Sequence, residues 1–425
     1  MITEKLITMF PIIMSMVILK REAELEEMKR LGKWIYICGR RKTGKTFFVR
    51  NFTDYDLYFF INRDRTVFTE DGRRLSYETF FELVRENIGH KKMVIDEMHR
   101  LPDEFFDYLH SVGKKGEITG VSSTLWLSQK LLGSGSPVLG LFSLYIFGLV
   151  DECDAVSSLD IAEAAEKLEA AVYLREPMLA RDFEPPLPEY LSAYLHSNRL
   201  TLREIIGEIF TEEQRNISAV YEGILRAIAD GKRVSTEISS YLFSRKLIPK
   251  DNPGFIQRYL NVLVRIGLIE KIETSGRGFY YAHKSPLFNL HFYLEEKYGY
   301  TELDVPVKYI EDVVRTMLPR DIERFIWDML ARNLGLKKVK INDPEIDIAL
   351  KRFERLVLVG EVKWRKKVSQ ADIRRIAEKL ADYHSRRILL VRDKSGLKEQ
   401  GGIEILDAED IVKICRGEKE FNMDE

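Results

Sequence analysis

The octapeptide Gly39-Arg40-Arg41-Lys42-Thr43-Gly44-Lys45-Thr46 has the spacing GxxxxGK[ST], with an apolar run at 34–38 before it and Phe47-Phe48-Val49 after it. Glycines at both ends let such a loop turn its backbone N–H groups inward around phosphates, and a helix starting at its end adds a positive dipole. All eight residues are therefore expected to bind ATP, with Lys45 on the β/γ oxygens and Thr46 on Mg²⁺. A chance basic turn would lack the strand, loop and helix in order. Further on, Lys91-Lys92-Met93-Val94-Ile95-Asp96-Glu97 ends an apolar run in two carboxylates. At a parallel strand's C-terminal edge, Asp96 is expected to hold Mg²⁺ through water, and Glu97 to orient or deprotonate the attacking water. Without the loop upstream, the same pair would read as a solvated helix cap. Ser122, in Ile118-Thr119-Gly120-Val121-Ser122-Ser123-Thr124, is read as a γ-phosphate sensor or as the cap of the helix beginning at Leu125; both readings stand.

A second set of residues lies near the C-terminus. Asp347 sits in Ile346-Asp347-Ile348-Ala349-Leu350, and Glu361-Val362-Lys363 ends the run that starts at Arg355. A strand's period of two puts Glu361 and Lys363 on one face, and a turn at 351–354 would bring Asp347 beside them. Glu323, on the helix expected at 321–334, can pack against the same edge. Glu323, Asp347 and Glu361 would hold a hard divalent ion, Mg²⁺ or Mn²⁺, with Lys363 as a catalytic residue for phosphodiester cleavage. A surface ion pair between Glu361 and Lys363 would give the same alternation.

These residues need elements to place them. Apolar runs at 34–38, 56–61, 93–95, 118–122 and 144–150 alternate with helical stretches, which implies a parallel sheet covered on both faces. Residues 160–211 read as helices broken by Pro177, Pro185, Pro186 and Pro188. Residues 217–285 follow the order of a winged helix-turn-helix: a recognition helix at 253–266 carries Gln257, Arg258, Asn261 and Arg265, and a wing at 271–284 is tipped by Ser275, Gly276 and Arg277. The expected units are a P-loop ATPase core at 1–150, a helical lid at 151–216, a winged helix at 217–299 and a nuclease-like domain at 300–425. The fold class is α/β.

The chain has 425 residues, of which 45% are hydrophobic, so it can fill several cores and is neither disordered nor collagen-like. A net charge of −1 gives no global field toward nucleic acid, so any DNA contact must be local. Cys38, Cys153 and Cys415 form no framework, which fits a cytoplasmic protein. The apolar run at 7–19 is interrupted by Pro11 and is shorter than the ~20 residues of a membrane span, so no membrane association is expected.

The order of motifs resembles the archaeal ATPase family of the AAA+/STAND class. The resemblance is carried by Arg21-Glu22-Ala23-Glu24-Leu25, the phosphate-binding loop, Ile95-Asp96-Glu97 and the Thr119-to-Ser123 segment. The last domain is similar to the PD-(D/E)xK nuclease superfamily and to the domain commonly attached to those ATPases. The resemblance implies an ATPase with a helical lid, a winged helix and a restriction-endonuclease-like end. Two departures stand out. Val121 occupies a position where that family usually carries Ser, and no Lys or Arg occurs between Lys130 and Lys167, where an arginine finger is expected. Such a finger is worth ~10³–10⁵ in rate, so slow hydrolysis, helped by a second subunit or a protein partner, is the expectation. Coupling of ATP hydrolysis to action on DNA is the preferred function. A nucleotide-dependent switch, or a transcriptional regulator with an inert terminal domain, fits the same motifs.

Overall fold

The computed structural model describes residues 17–421 apart from 126, 127, 129–132, 134, 214 and 216. The apolar run at 7–19 and the helix after Thr124 lie largely outside the described residues. The first sheet contains β1 (Trp34–Cys38), β2 (Leu57–Ile61), β3 (Val67–Thr69), β4 (Arg74–Leu75), β5 (Lys92–Asp96), β6 (Glu117–Ser122) and β7 (Ser143–Ile146), in the order β4-β3-β2-β5-β6-β1-β7. The five runs read from the sequence form its parallel part. The antiparallel hairpin β3–β4 is new, since strands of three and two residues leave no periodic pattern. Alternate residues of β1 enter two separate cores, one on each face of the sheet. β6 lies between β1 and β5, with Ser122 level with Cys38 and Val121 level with Asp96. This register brings the ends of β1, β5 and β6 to one edge.

The helices Glu152–Ser158, Ala164–Leu174, Pro177–Ala180 and Leu187–Glu212 follow. The winged-helix order then appears as helices Ala219–Ala229, Ser235–Ser244 and Pro253–Arg265 with β8 (Ile269–Thr274) and β9 (Phe279–His283). Asn252 starts the third helix by accepting a hydrogen bond from the Gly254 N–H. Helix Pro286–Tyr298 leads to helix Val307–Asn333, which begins earlier than the expected 321 because it continues through Pro319. The chain ends in β10 (Lys337–Asn342), β11 (Glu345–Ile346), β12 (Ile348–Arg352), β13 (Arg355–Lys363), helix Gln370–Lys379, β14 (Arg386–Val391), β15 (Ile403–Leu406) and helix Ala408–Cys415.

The second sheet runs β15-β14-β13-β12-β10-β8-β9, with β11 paired to β10. β10 lies parallel to β8, with Val339 opposite Glu273 and Lys340 opposite Thr274, and the Ser275 N–H donates to the Lys340 carbonyl at 2.8 Å. The wing, whose order fits either nucleic-acid contact or packing between domains, is thus built into the terminal sheet along one strand, because β8 has an open edge that β10 satisfies. Buried side chains from Val150 to Phe421 join in one core shared by the lid, the winged helix and the terminal unit. No helix among the described residues is long and apolar enough to cross a membrane.

Candidate nucleotide site and C-terminal carboxylate cluster

The loop after β1 can only be built with glycine at its start: a Cβ on Gly39 would lie 2.1 Å from the Phe147 carbonyl oxygen. Gly44 has φ 89° and caps helix Lys45–Phe52. The loop is braced by Arg21, which donates to the Thr43 carbonyl at 2.6 Å and stacks over Phe147. Thr43 Oγ1 donates to the Arg40 carbonyl at 3.0 Å. Lys45 Nζ donates to the carbonyls of Gly39 and Arg40 at 2.9 and 2.8 Å. Burial pushes the Lys45 ammonium down to about 8, against the pull of Glu97 and Asp96.

Thr46 Oγ1 donates to Asp96 Oδ2 at 2.6 Å, and the Tyr58 hydroxyl donates to the same oxygen at 2.9 Å. The hydroxyl and carboxylate assigned to Mg²⁺ are therefore adjacent, and their donor set suits a hard cation. Burial raises the Asp96 pKa. Glu97 has φ 58°, a left-handed turn that swings its side chain off the strand. Its Oε2 accepts from Ser123 Oγ at 2.9 Å, and its Oε1 lies 3.7 Å from Arg100 Nη2. His99 Nδ1 lies 3.4 Å from Glu97, but burial pushes its pKa down to about 4, so this contact carries no ion pair at neutral pH.

A cavity of about 760 Å³ is lined by Lys45, Thr46, Asp96, Glu97, Arg100 and Ser123, together with Lys42, Gly44 and others. The volume suits a nucleotide. Ser122 is not on its wall: fully buried, it bonds to His99 Nδ1 and Thr124 Oγ1, each at 2.9 Å. The position on the cavity wall belongs to Ser123, one residue on. Arg40 turns away to pair with buried Glu176 and to stack over Phe288, while Arg41 reaches Glu208 at 2.9 Å and also Glu212. Three arginines from this chain, Arg41, Arg63 and Arg100, line the cavity, and Arg41 is the one tied to glutamates of helix Leu187–Glu212. Arg175, by contrast, pairs with Glu152 at 2.6 Å, and Arg181 lies beside Asp182. Arg100, three residues after Glu97, was visible in the sequence; the position of Arg63 was not.

In the terminal unit β12 and β13 pair antiparallel with Ile348 opposite Gly360, which sets Asp347 across from Glu361. The connecting turn is the two residues Phe353 and Glu354, tighter than the four expected. Asp347 sits in a bend between β11 and β12 rather than within a strand. Its Oδ2 accepts from the Val362 N–H at 2.9 Å. Lys363 Nζ is 2.9 Å from Glu361 Oε2 and 3.5 Å from Asp347 Oδ2, and Lys379 Nζ, from the following helix, is 2.5 Å from Glu361 Oε1. No sequence pattern pointed to Lys379. Glu323 faces the cluster through its field: burial, then the Asp347 charge, pushes its carboxyl well above the usual carboxylate range. Among the described residues no group of three or more His, Cys, Asp or Glu forms a ready cation site. Asp347, Glu361 and Lys363 converge as a carboxylate–lysine cluster, and Glu323 makes no hydrogen bond or ion pair with it.

No known protein family matches the chain, and no curated protein is similar to it. Among solved structures it is similar to the Aeropyrum pernix ORC1 protein in complex with DNA, at 16% identity and a TM-score of 0.31, covering 68% of this chain and 95% of that one. It is also similar to the Aeropyrum pernix ORC2 protein in ADPNP-ADP complexes, at 13% identity and 0.39, covering 70% and 93%. The CDC6P structure from Pyrobaculum aerophilum gives 16% identity and 0.28, covering 71% and 94%.

Proposed function

We propose that the chain binds and hydrolyses ATP with Mg²⁺ and couples this to action on DNA. One observation carries the ATPase reading: Lys45, Thr46, Asp96 and Glu97 meet on one nucleotide-sized cavity at the edge of a parallel sheet. Lys45 holds phosphate oxygens, Thr46 and Asp96 hold Mg²⁺, and Glu97 positions water, with Ser123 as the polar group facing the γ-phosphate. Bound Mg²⁺ supplies charge neutralisation of the phosphates. Arg63 and Arg100 give a cation source within the chain, an alternative to a finger from a second subunit. The action on DNA rests on the terminal unit, where Asp347, Glu361 and Lys363 carry the groups that metal-assisted phosphodiester cleavage requires. The outward side of helix Pro253–Arg265, with Arg258, Asn261 and Arg265 exposed, is the second DNA contact.

A nucleotide-dependent switch with an inert terminal domain is the rival, favoured by the two lysines that already neutralise Glu361. Incubation of the purified protein with supercoiled, linear and branched DNA, with and without ATP and Mg²⁺ or Mn²⁺, tests both chemistries. Metal-dependent cleavage supports the nuclease reading. ATP turnover without cleavage leaves the switch.

A further inference from the structure

A second cavity, about 510 Å³, lies where the lid, the winged helix and the terminal unit meet. Asp347 and Glu323 form part of its wall, so it adjoins the carboxylate cluster. Three cations on the same wall, Arg233, Lys284 and Arg320, make no side-chain hydrogen bond or ion pair with any described residue. The other cations there are taken: Arg175 by Glu152, Arg324 by Glu270 and Asp328, Lys340 by Glu345. Asp321, whose field reaches Arg233 and Arg320, is buried and receives the Tyr173 hydroxyl. Two further wall residues, His283 and Asn289, are each 6% exposed, and their Nδ1 and Oδ1 atoms are buried without a hydrogen-bond partner among the described residues. His283 Nε2 is held by the Leu225 carbonyl at 2.9 Å, which fixes Nδ1 as an acceptor. The ring of Tyr280 lies among them, with Arg233 and Lys340 each 5.8 Å from its centroid.

Cations grouped along a recess without a side-chain hydrogen bond or ion pair are free to contact phosphates, and the aromatic face of Tyr280 beside them suits a base. Cavities of about 300–1,000 Å³ enclose a small-molecule-sized group such as a nucleotide, whereas a duplex, whose major groove alone is about 12 Å wide, does not enter. Arg233 and Lys284 come from the winged-helix unit and Arg320 from helix Val307–Asn333, so the set exists only where these two parts of the chain pack together. We propose that this cavity takes a single nucleic-acid strand, its phosphates against Arg233, Lys284 and Arg320 and a base against Tyr280, which presents a phosphodiester to the Asp347 side of the cluster. The proposal rests on the reading of that cluster as a phosphodiester site.

The test is fluorescence anisotropy of the full chain with a labelled oligothymidine and with a labelled hairpin duplex, in EDTA, across a salt series. The single strand should bind more tightly than the duplex. Replacing all three cations (Arg233→Gln, Lys284→Gln, Arg320→Gln) should weaken strand binding at least tenfold and flatten the log–log salt slope by about 2, since each phosphate contact contributes about 0.7 on single strands. Arg320→Gln alone, at an exposed position, should flatten it by about 0.7 and decides the matter if the triple variant does not fold. Equal duplex affinity overturns the proposal, as does a folded variant with wild-type strand binding, or loss of binding on Arg258→Gln and Arg265→Gln instead. Strand binding as expected with no Mn²⁺-dependent cleavage would end the catalytic reading and leave the strand site standing.

Discussion

Glu97→Gln separates nucleotide binding from turnover. The substitution keeps the shape of a side chain whose direction is set by a left-handed backbone turn, and the amide oxygen can still accept from Ser123 Oγ at 2.9 Å. The phosphate and Mg²⁺ groups stay in place, since Thr46 and Tyr58 bond Asp96 and not Glu97. What is lost is the carboxylate that takes or orients the proton of the attacking water. General-base assistance contributes about 10²–10⁴ in rate, or about 2.7–5.5 kcal/mol of barrier, and turnover should fall by that factor. Affinity should change little, because two charge effects oppose each other. Glu97 is the strongest carboxylate influence holding a proton on Lys45, so its removal weakens the lysine, but it also removes a negative charge facing the phosphates. The assay pairs single-turnover hydrolysis with titration of a fluorescent ATP analogue. Turnover within threefold of wild type would mean that another group positions the water. Loss of binding would mean that Glu97 serves the fold of the loop. Ser123→Ala sharpens the reading: with the hydroxyl gone Glu97 keeps only the longer bond from the Ser123 N–H, at 3.4 Å, so the rate should change while affinity does not.

Lys45→Ala should abolish ATP binding in the same titration, because Lys45 supplies the compact charge buried under the loop. Its lowered pKa gives two pH effects of opposite sign. The ammonium is charged below about 8 and neutral above it, so ATP affinity is full below pH 8 and should fall up to ~10-fold per unit above it. Without ATP, the unfolded chain binds a proton there that the folded chain lacks between pH 8 and 10.5, so thermal stability gains a rising contribution over that window. Parallel loss of both in calorimetry would reject the assignment. Arg100→Ala should slow hydrolysis at least tenfold at a rate per subunit independent of protein concentration; a rate that climbs with concentration would move the needed cation to a neighbouring subunit. In the terminal unit, Asp347→Ala and Glu361→Ala should each weaken Mn²⁺ binding, while Lys363→Ala should spare the metal and lose cleavage. Calorimetric titration showing no Mn²⁺ heat with wild-type protein would leave only ion pairs worth ~0–1 kcal/mol where they are exposed.

What the sequence made legible was local. The loop at Gly39–Thr46 follows from spacing alone, since the turn and the helix start it needs lie within eight residues, and the order of apolar runs gave the parallel strands. The pairing of Asp347 with Glu361 was legible for a similar reason: a strand's period and one short hairpin decide it. Ser122 marks where this stops. Side chains alternate along β6, so an offset of one residue exchanges the cavity wall for the interior, and no composition signal separates Ser122 from Ser123. The wing marks a second boundary. Its strand pattern was correct, yet its use depends on β10, whose contact with β8 joins residues more than sixty apart and is decided by an edge that needs a partner. Lys379 and Arg63 reach their sites in the same non-local way. The consequence for function is physical: the terminal cluster and the winged helix share a sheet and a core, while Arg40 runs from the phosphate-binding loop to Glu176 of the lid and to Phe288 on the helix that follows β9. The loop at Gly39–Thr46 is therefore tied, through the two side-chain contacts of Arg40, to the body that carries the carboxylates.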